Sequence, residues 1–159
     1  MRKFWKTAVL CAVVGKLSAS MVWAEDQQVD RYVMMLRTDL KAEKAAIIVN
    51  NMHFTEAETN AFWPVYQQYQ KELSKLGDEK VALIKDYAAH LNTIDEEKAK
   101  ELTTRAMMLE EQRLDLIKKY LDEFSKVLPA KQVARFFQLE MQMQRLVDLQ
   151  VAAELPLVQ

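Results

Sequence analysis

Phe54-Thr55-Glu56-Ala57-Glu58 and its partial copy Leu128-Pro129-Ala130-Lys131-Gln132 decide how this chain folds, because each reads as the start of a long helix. In the first copy the Thr55 hydroxyl is placed to accept a bond from the backbone NH of Glu58, and the Glu58 carboxylate to accept one from the NH of Thr55, a reciprocal capping box. In the second, Pro129 suits a first helical position, since its missing NH has no partner there and its φ is already helical; Leu128 is a poor cap, which leaves the register open by one residue. The copies continue past the motif. Phe62 and Trp63 follow Phe54 by the same steps as Phe136 and Phe137 follow Leu128. The pattern predicts two loop-plus-helix units, each with an aromatic-rich helix.

Working outward, the helix from Thr55 carries Phe62, Tyr66, Tyr69, Leu73, Leu76, Leu83, Tyr87 and Leu91 near heptad spacing, broken only by Lys80. The apolar phase passes unchanged through Gly77, so one helix of ~50 Å is expected, with a bend near Trp63 because Pro64 removes a backbone bond in the third turn. Thr93 and Glu96 repeat the capping-box spacing and open a third helix, with a seam of Ala99, Leu102, Ala106, Leu109, Leu116, Tyr120, Phe124 and Val127 interrupted by Arg113. The short connection predicts an antiparallel hairpin with Tyr69 near Leu116, Leu76 near Leu109 and Leu73 near Arg113. A fourth helix runs from Pro129 to about Glu154 with Val133, Phe136, Phe137, Met143 and Val147 on its apolar side, followed by an extended tail, Leu155-Pro156-Leu157-Val158. Before the first motif, a helix from about Val29 to Asn51 is expected. Its stripe is Val29, Val33, Leu36, Leu40 and Ile47, with Arg37, Lys41 and Lys44 on another side, either a docking face for acidic segments or a solvated one.

The fold class is therefore all-α: four helices with a long antiparallel hairpin in an elongated bundle. After Ala24 there is one glycine, Gly77, and three prolines, Pro64, Pro129 and Pro156, too few to punctuate a sheet. Residues 1–24 read as a bacterial-type signal peptide, with a basic start at Arg2, Lys3 and Lys6, an apolar run from Thr7 to Gly15 and a cleavage site at Val22-Trp23-Ala24. The run is too short to span a bilayer of ~30 Å. Export across the inner membrane to the periplasm follows, and residues 25–159 form a single helical domain. Losing the leader removes four basic and no acidic residues and moves the formal charge from −1 to −5; a net acidic chain argues against nucleic acid as a partner. Cys11 is the only cysteine and lies in the leader, so the mature chain has no disulfide and no thiolate metal site. A slender bundle has little core for its surface, and a homodimer sharing a seam is expected.

None of the patterns that mark common catalytic or haem sites is present: there is no HExxH, GxSxG, Gly-rich phosphate loop or Cys-x-x-Cys-His, and no Glu-x-x-His pair of a di-iron bundle. The chain reads as no enzyme and needs no cofactor. Asp86 and His90 stand four apart on one helical face and His53 is the other histidine, weak metal candidates; both histidines fall near helix C-termini, where capping of free carbonyls explains them as well. Methionine is a stronger signal. Met34-Met35 and Met107-Met108 put flexible, polarizable side chains about 100° apart on a helix, so neither pair fits one narrow seam; they serve either as ordinary core filling or as an adaptable binding face. Trp63 and Phe137 belong to the repeated aromatic pairs (Phe62-Trp63 and Phe136-Phe137), which are the candidates for exposed aromatic edges.

The paired motifs, leader and four-helix layout resemble the Spy/CpxP family of periplasmic helical proteins, known for paired LTxxQ motifs that each precede a helix. Here they read FTEAE and LPAKQ, with Phe54 for Leu, Glu58 for Gln and Pro129 for Thr. The resemblance implies a cradle-shaped dimer of long antiparallel helices in a family that includes ATP-independent chaperones, a sensor-kinase accessory protein and zinc-associated relatives. It assigns Phe54, Thr55, Glu58, Leu128, Pro129 and Gln132 to holding the helix starts rather than to chemistry. The function expected first is a chaperone or stress-response protein for partly unfolded envelope proteins, gripping them with Met34, Met35, Trp63, Met107, Met108 and Phe137 and steering acidic stretches with Arg37, Lys41, Arg135 and Arg145. The alternative is a metal-responsive or sensor-kinase accessory regulator with a membrane sensor as partner.

Overall fold

The computed structural model describes residues 41–154, which carry four helices: α1 over residues 41–51, α2 at Glu56–His90, α3 at Glu96–Ser125 and α4 at Ala130–Glu154. The expected leader, the expected helix start at Val29, the candidate residues Met34, Met35 and Arg37, and the tail from Leu155 lie outside the described residues. The chain divides after Ile47 into two units. The bundle described next belongs to the second, which begins at Ile48.

The helix starts follow from side-chain chemistry. Thr55 caps α2: its Oγ1 accepts from Glu58 N at 3.2 Å, and Glu58 Oε2 accepts from Thr55 N at 2.8 Å. Glu56 and Glu58 in the first turn also face the positive end of the helix dipole. The helix runs unbroken through Pro64 and Gly77 to His90. α3 begins two residues later than the Thr93–Glu96 spacing predicts. Asp95 is its cap, its Oδ1 accepting from Lys98 N at 2.8 Å, because a short ionised carboxylate is the stronger acceptor for that orphan NH. Thr93 instead closes the end of α2, its NH and its hydroxyl both donating to the His90 carbonyl. At α4 the open register resolves against a first-turn proline. Pro129 precedes the helix, and its carbonyl accepts from Gln132 N and Val133 N. Leu128 and Val133, both buried, then flank the helix start as a hydrophobic staple.

Contacts fix how the helices run. Glu72 meets Lys119 and Tyr120, and Asp86 meets Lys98 and Arg105, so α2 and α3 are antiparallel. Tyr69 meets Glu140 and Lys80 meets Asp148, so α4 runs parallel to α2. Across the hairpin Tyr69 stacks edge-on to Tyr120 at 5.1 Å, Leu76 shares a groove with Leu116, Leu73 and Leu116 both pack against the core, and Arg113 reaches Asp148 on α4.

The core gathers at the end of the bundle where α2 and α4 begin. Phe62, Tyr66 and Tyr69 of α2, Tyr120 and Phe124 of α3, and Val133, Phe136, Phe137 and Met143 of α4 are buried together with Ile48, Met52 and Leu128. Their rings pack at offset and edge-on angles, with centroids 4.6 Å apart for Phe124–Phe136 and 5.3 Å for Phe62–Phe124, the arrangements that aromatic quadrupoles favour. Two expectations are corrected here. Ile47 is exposed while Ile48 is fully buried, and Lys44, expected on the basic side, is buried. One residue is a 100° step around a helix, so Ile48 turns into the core where Ile47 does not, and Met52 follows it four residues on. The repeated aromatic pairs are also not exposed edges: Phe62, Phe136 and Phe137 are buried, and only Trp63 is half-exposed, edge-on to Phe62 and Tyr66.

Candidate functional site

The two motifs meet at one end of the bundle. Phe54 lies against Phe62 at 4.8 Å, and Gln132 Nε2 donates to the His53 carbonyl at 3.5 Å, a long contact that ties the start of α4 to the turn before α2. The difference between the copies is chemical. Glu58 is occupied by the Thr55 NH, whereas Pro129 has no NH to offer, so Gln132 at the matching position is released to reach the other motif. Phe54, Thr55, Glu58, Leu128, Pro129 and Gln132 are thus all accounted for by helix starts and packing.

The two charges that interrupt the hairpin seams share a partner on α4. Lys80 Nζ donates to Asp148 Oδ1 at 2.8 Å, Arg113 Nη1 lies 3.7 Å from Asp148 Oδ2, and Gln144 Nε2 donates to Asp148 from one turn earlier. Burial by itself pushes the Asp148 carboxyl up, but the bond from Lys80, the bond from Gln144 and the charges of Lys80 and Arg113 outweigh it and hold it below the usual carboxylate range. A depressed carboxyl contributes stability that is present above the unfolded value near 3.9 and is lost as pH falls through the folded one. Asp148→Asn is expected to cost on the order of 1 kcal/mol at neutral pH, given partial solvent screening, and to flatten the acid limb of the stability curve. Denaturant melts across the acid range check this; an unchanged acid limb would count against it.

Further along the hairpin, Asp86 accepts from Lys98 and Arg105, and both cations also hold Glu101. The Lys98 and Arg105 bonds keep the Asp86 carboxyl below its ordinary range. His90 Nδ1 sits 2.8 Å from the Asp86 carbonyl and 3.1 Å from its carboxylate. Both neighbours are acceptors, so the contact is one in which Nδ1–H donates. Asp86 and His90 are brought together on one turn of α2, and His53 stands far from them in sequence, exposed beside the first motif. Among the described residues no group of three or more potential ligands is placed to hold a metal ion.

The surface is the remaining candidate. Met107 and Met108 are exposed, as are Leu114 and Leu121 on α3 and Met141, Leu146 and Leu149 on α4. Met107, Leu114 and Leu121 recur every seven residues and so form one stripe along α3. Arg135 and Arg145 are exposed on α4 and Lys41 on α1, while Phe137 is withdrawn into the core. The sequence singled out the methionine pair but not the leucines, which the seam pattern had left unassigned on the outer face. It also passed over Glu140, which occupies a core position between Phe137 and Met143, is buried, and accepts from the Tyr69 hydroxyl at 3.3 Å. Its place in the 133, 136, 137, 140, 143 spacing was the available signal.

No helix among the described residues is long and apolar enough to cross a membrane. No family model, curated protein or solved structure matches this chain.

Proposed function

We propose that this chain is an ATP-independent chaperone or stress-response protein of the bacterial envelope, similar in plan to the Spy/CpxP family, which holds partly unfolded proteins on the outer faces of α3 and α4 without a catalytic step. The reading is supported by one observation: a stripe of large apolar side chains, Met107, Leu114 and Leu121, stands in solvent on a helix that buries Leu102, Tyr120 and Phe124. Apolar side chains that line up along one exposed face can form a contiguous patch, and such patches mark binding surfaces. Methionine adapts to many partners, and exposed charges such as Arg135 and Arg145 on α4 would steer acidic stretches and hasten encounter. A homodimer and export to the periplasm are part of the same proposal. The metal-responsive alternative draws no support from Asp86, whose carboxylate is engaged by Lys98, Arg105 and His90.

The test is suppression of light scattering from two unrelated unfolding proteins by stoichiometric chain without ATP. Both are expected to be protected. A Met107→Ser, Leu114→Ser, Leu121→Ser variant is expected to lose the protection while keeping its helical signal. Protection of neither protein by the unaltered chain, or full protection by the triple variant, would overturn the proposal.

A further inference from the structure

The methionines of α3 and α4, with Met52, divide into two chemical classes. Met107, Met108 and Met141 are 66%, 52% and 42% exposed, whereas Met143 and Met52 are 7% and 1% exposed within the aromatic core. Oxidation of a thioether requires the oxidant to approach sulfur directly, so susceptibility follows exposure. The consequences differ as much as the access. A sulfoxide is polar, and at Met52 or Met143 it would sit among Phe136, Phe137 and their neighbours with no water to solvate it. At Met107 or Met108 it would project into water from the middle of a helix whose opposite face carries the packing. The mature sequence also has no cysteine to take the oxidant first, since Cys11 belongs to the expected leader.

We infer that Met107 and Met108 form a surface oxidation site for two-electron oxidants of the hypohalous acid or peroxide class. Each thioether sulfur takes one oxygen atom and gives up two electrons. Hypochlorous acid leaves as chloride and a proton, and hydrogen peroxide leaves as water. Met52 and Met143 remain reduced and the bundle remains folded. Because Met107 heads the apolar stripe that continues through Leu114 and Leu121, its sulfoxide makes one end of that stripe polar, so the reaction changes the surface without changing the fold. This inference goes beyond the proposed function and does not depend on it.

The experiment is a titration of the chain without its expected leader, residues 25–159, with substoichiometric hypochlorous acid, followed by peptide mass spectrometry for each methionine and by circular dichroism on the same samples. The expected order of conversion is Met107 and Met108 first, Met141 next, and Met143 and Met52 last by about tenfold or more, with the helical signal unchanged until the last two react. A Met107→Leu, Met108→Leu variant is expected to keep the helical signal, take up two fewer oxygen atoms at low dose and leave the core methionines reduced over the same range. Oxidation of Met52 or Met143 at the rate of the α3 pair would overturn the inference. So would loss of helix in step with conversion at Met107 and Met108, which would place that pair among the structural residues. Reading each site and the fold separately keeps the result independent of any client or partner.

Discussion

Phe136→Ala is expected to destabilise the bundle by about 3–5 kcal/mol, the range for emptying a buried aromatic position. Phe136 is fully buried, and its ring lies within 4.6 Å of Phe124, 5.0 Å of Phe137, 5.2 Å of Phe62, 6.0 Å of Tyr66 and 6.3 Å of Tyr69, centroid to centroid. One side chain therefore joins α2, α3 and α4. Two features prevent the site from collapsing onto the vacancy. Its neighbours are rigid rings held by their own helices, and two of them, Tyr69 and Phe124, are also engaged with Tyr120. Against a total stability of about 5–15 kcal/mol, the loss leaves a bundle that is marginal at physiological temperature. Leu114→Ala on the open face of α3 is the control, with an expected change within about 0.5 kcal/mol. Urea melts followed by circular dichroism compare the two. A loss below about 1 kcal/mol for Phe136→Ala would mean that the aromatic cluster does not hold the helices together.

What the sequence made legible was local or periodic. The capping box at Thr55 and Glu58 depends on residues three apart, and the core positions of α2, α3 and α4 recur with the helix period, so both could be read directly. Lys80 and Arg113 were legible as breaks in a seam, but their shared partner Asp148 lies 68 and 35 positions away, and no local rule joins them. Ile47 and Ile48, being adjacent, fit the helix period almost equally well, and only packing distinguishes them. Two aromatic neighbours on a helix cannot share a narrow seam, so the sequence pattern points to exposed edges. Here the core is broad enough, with three helices around it, to take both Phe136 and Phe137. The candidate surface was partly legible through Met107 and Met108. Leu114, Leu121, Leu146 and Leu149 were not, since an outward leucine has no signature until the inward face is known.

Above pH 10 the bundle is expected to unfold steeply, driven by its buried tyrosines. Burial, and after it the nearby charge of Glu140, pushes the hydroxyls of Tyr66 and Tyr69 well above the ordinary tyrosine range, and Tyr69 is further held protonated by its bond to Glu140. Tyr120 is raised as well, by burial and by its bond to Glu72. A group whose folded value is raised contributes stability that is complete below its unfolded value, near 10 for tyrosine, and is lost as pH rises toward the folded one. Each such ring withdraws about 1.4 kcal/mol per pH unit in that window. Tyr66 and Tyr69 alone would remove several kcal/mol over two units, a large part of the stability of a domain this size. Tyrosinate absorbance and circular dichroism followed together make the check. A late fraction of the tyrosinate signal is expected to appear with the loss of helix. Tyr69→Phe is expected to make the alkaline limb of the stability curve shallower by about one proton. That variant also takes a hydrogen-bond donor from buried Glu140, so it is expected to be less stable at neutral pH, and only the slope isolates the tyrosine. Complete titration of every tyrosine near its ordinary value with the helical signal intact would show that these hydroxyls open to water without unfolding, and would rule out the buried Tyr69–Glu140 pair as the cause of alkaline sensitivity.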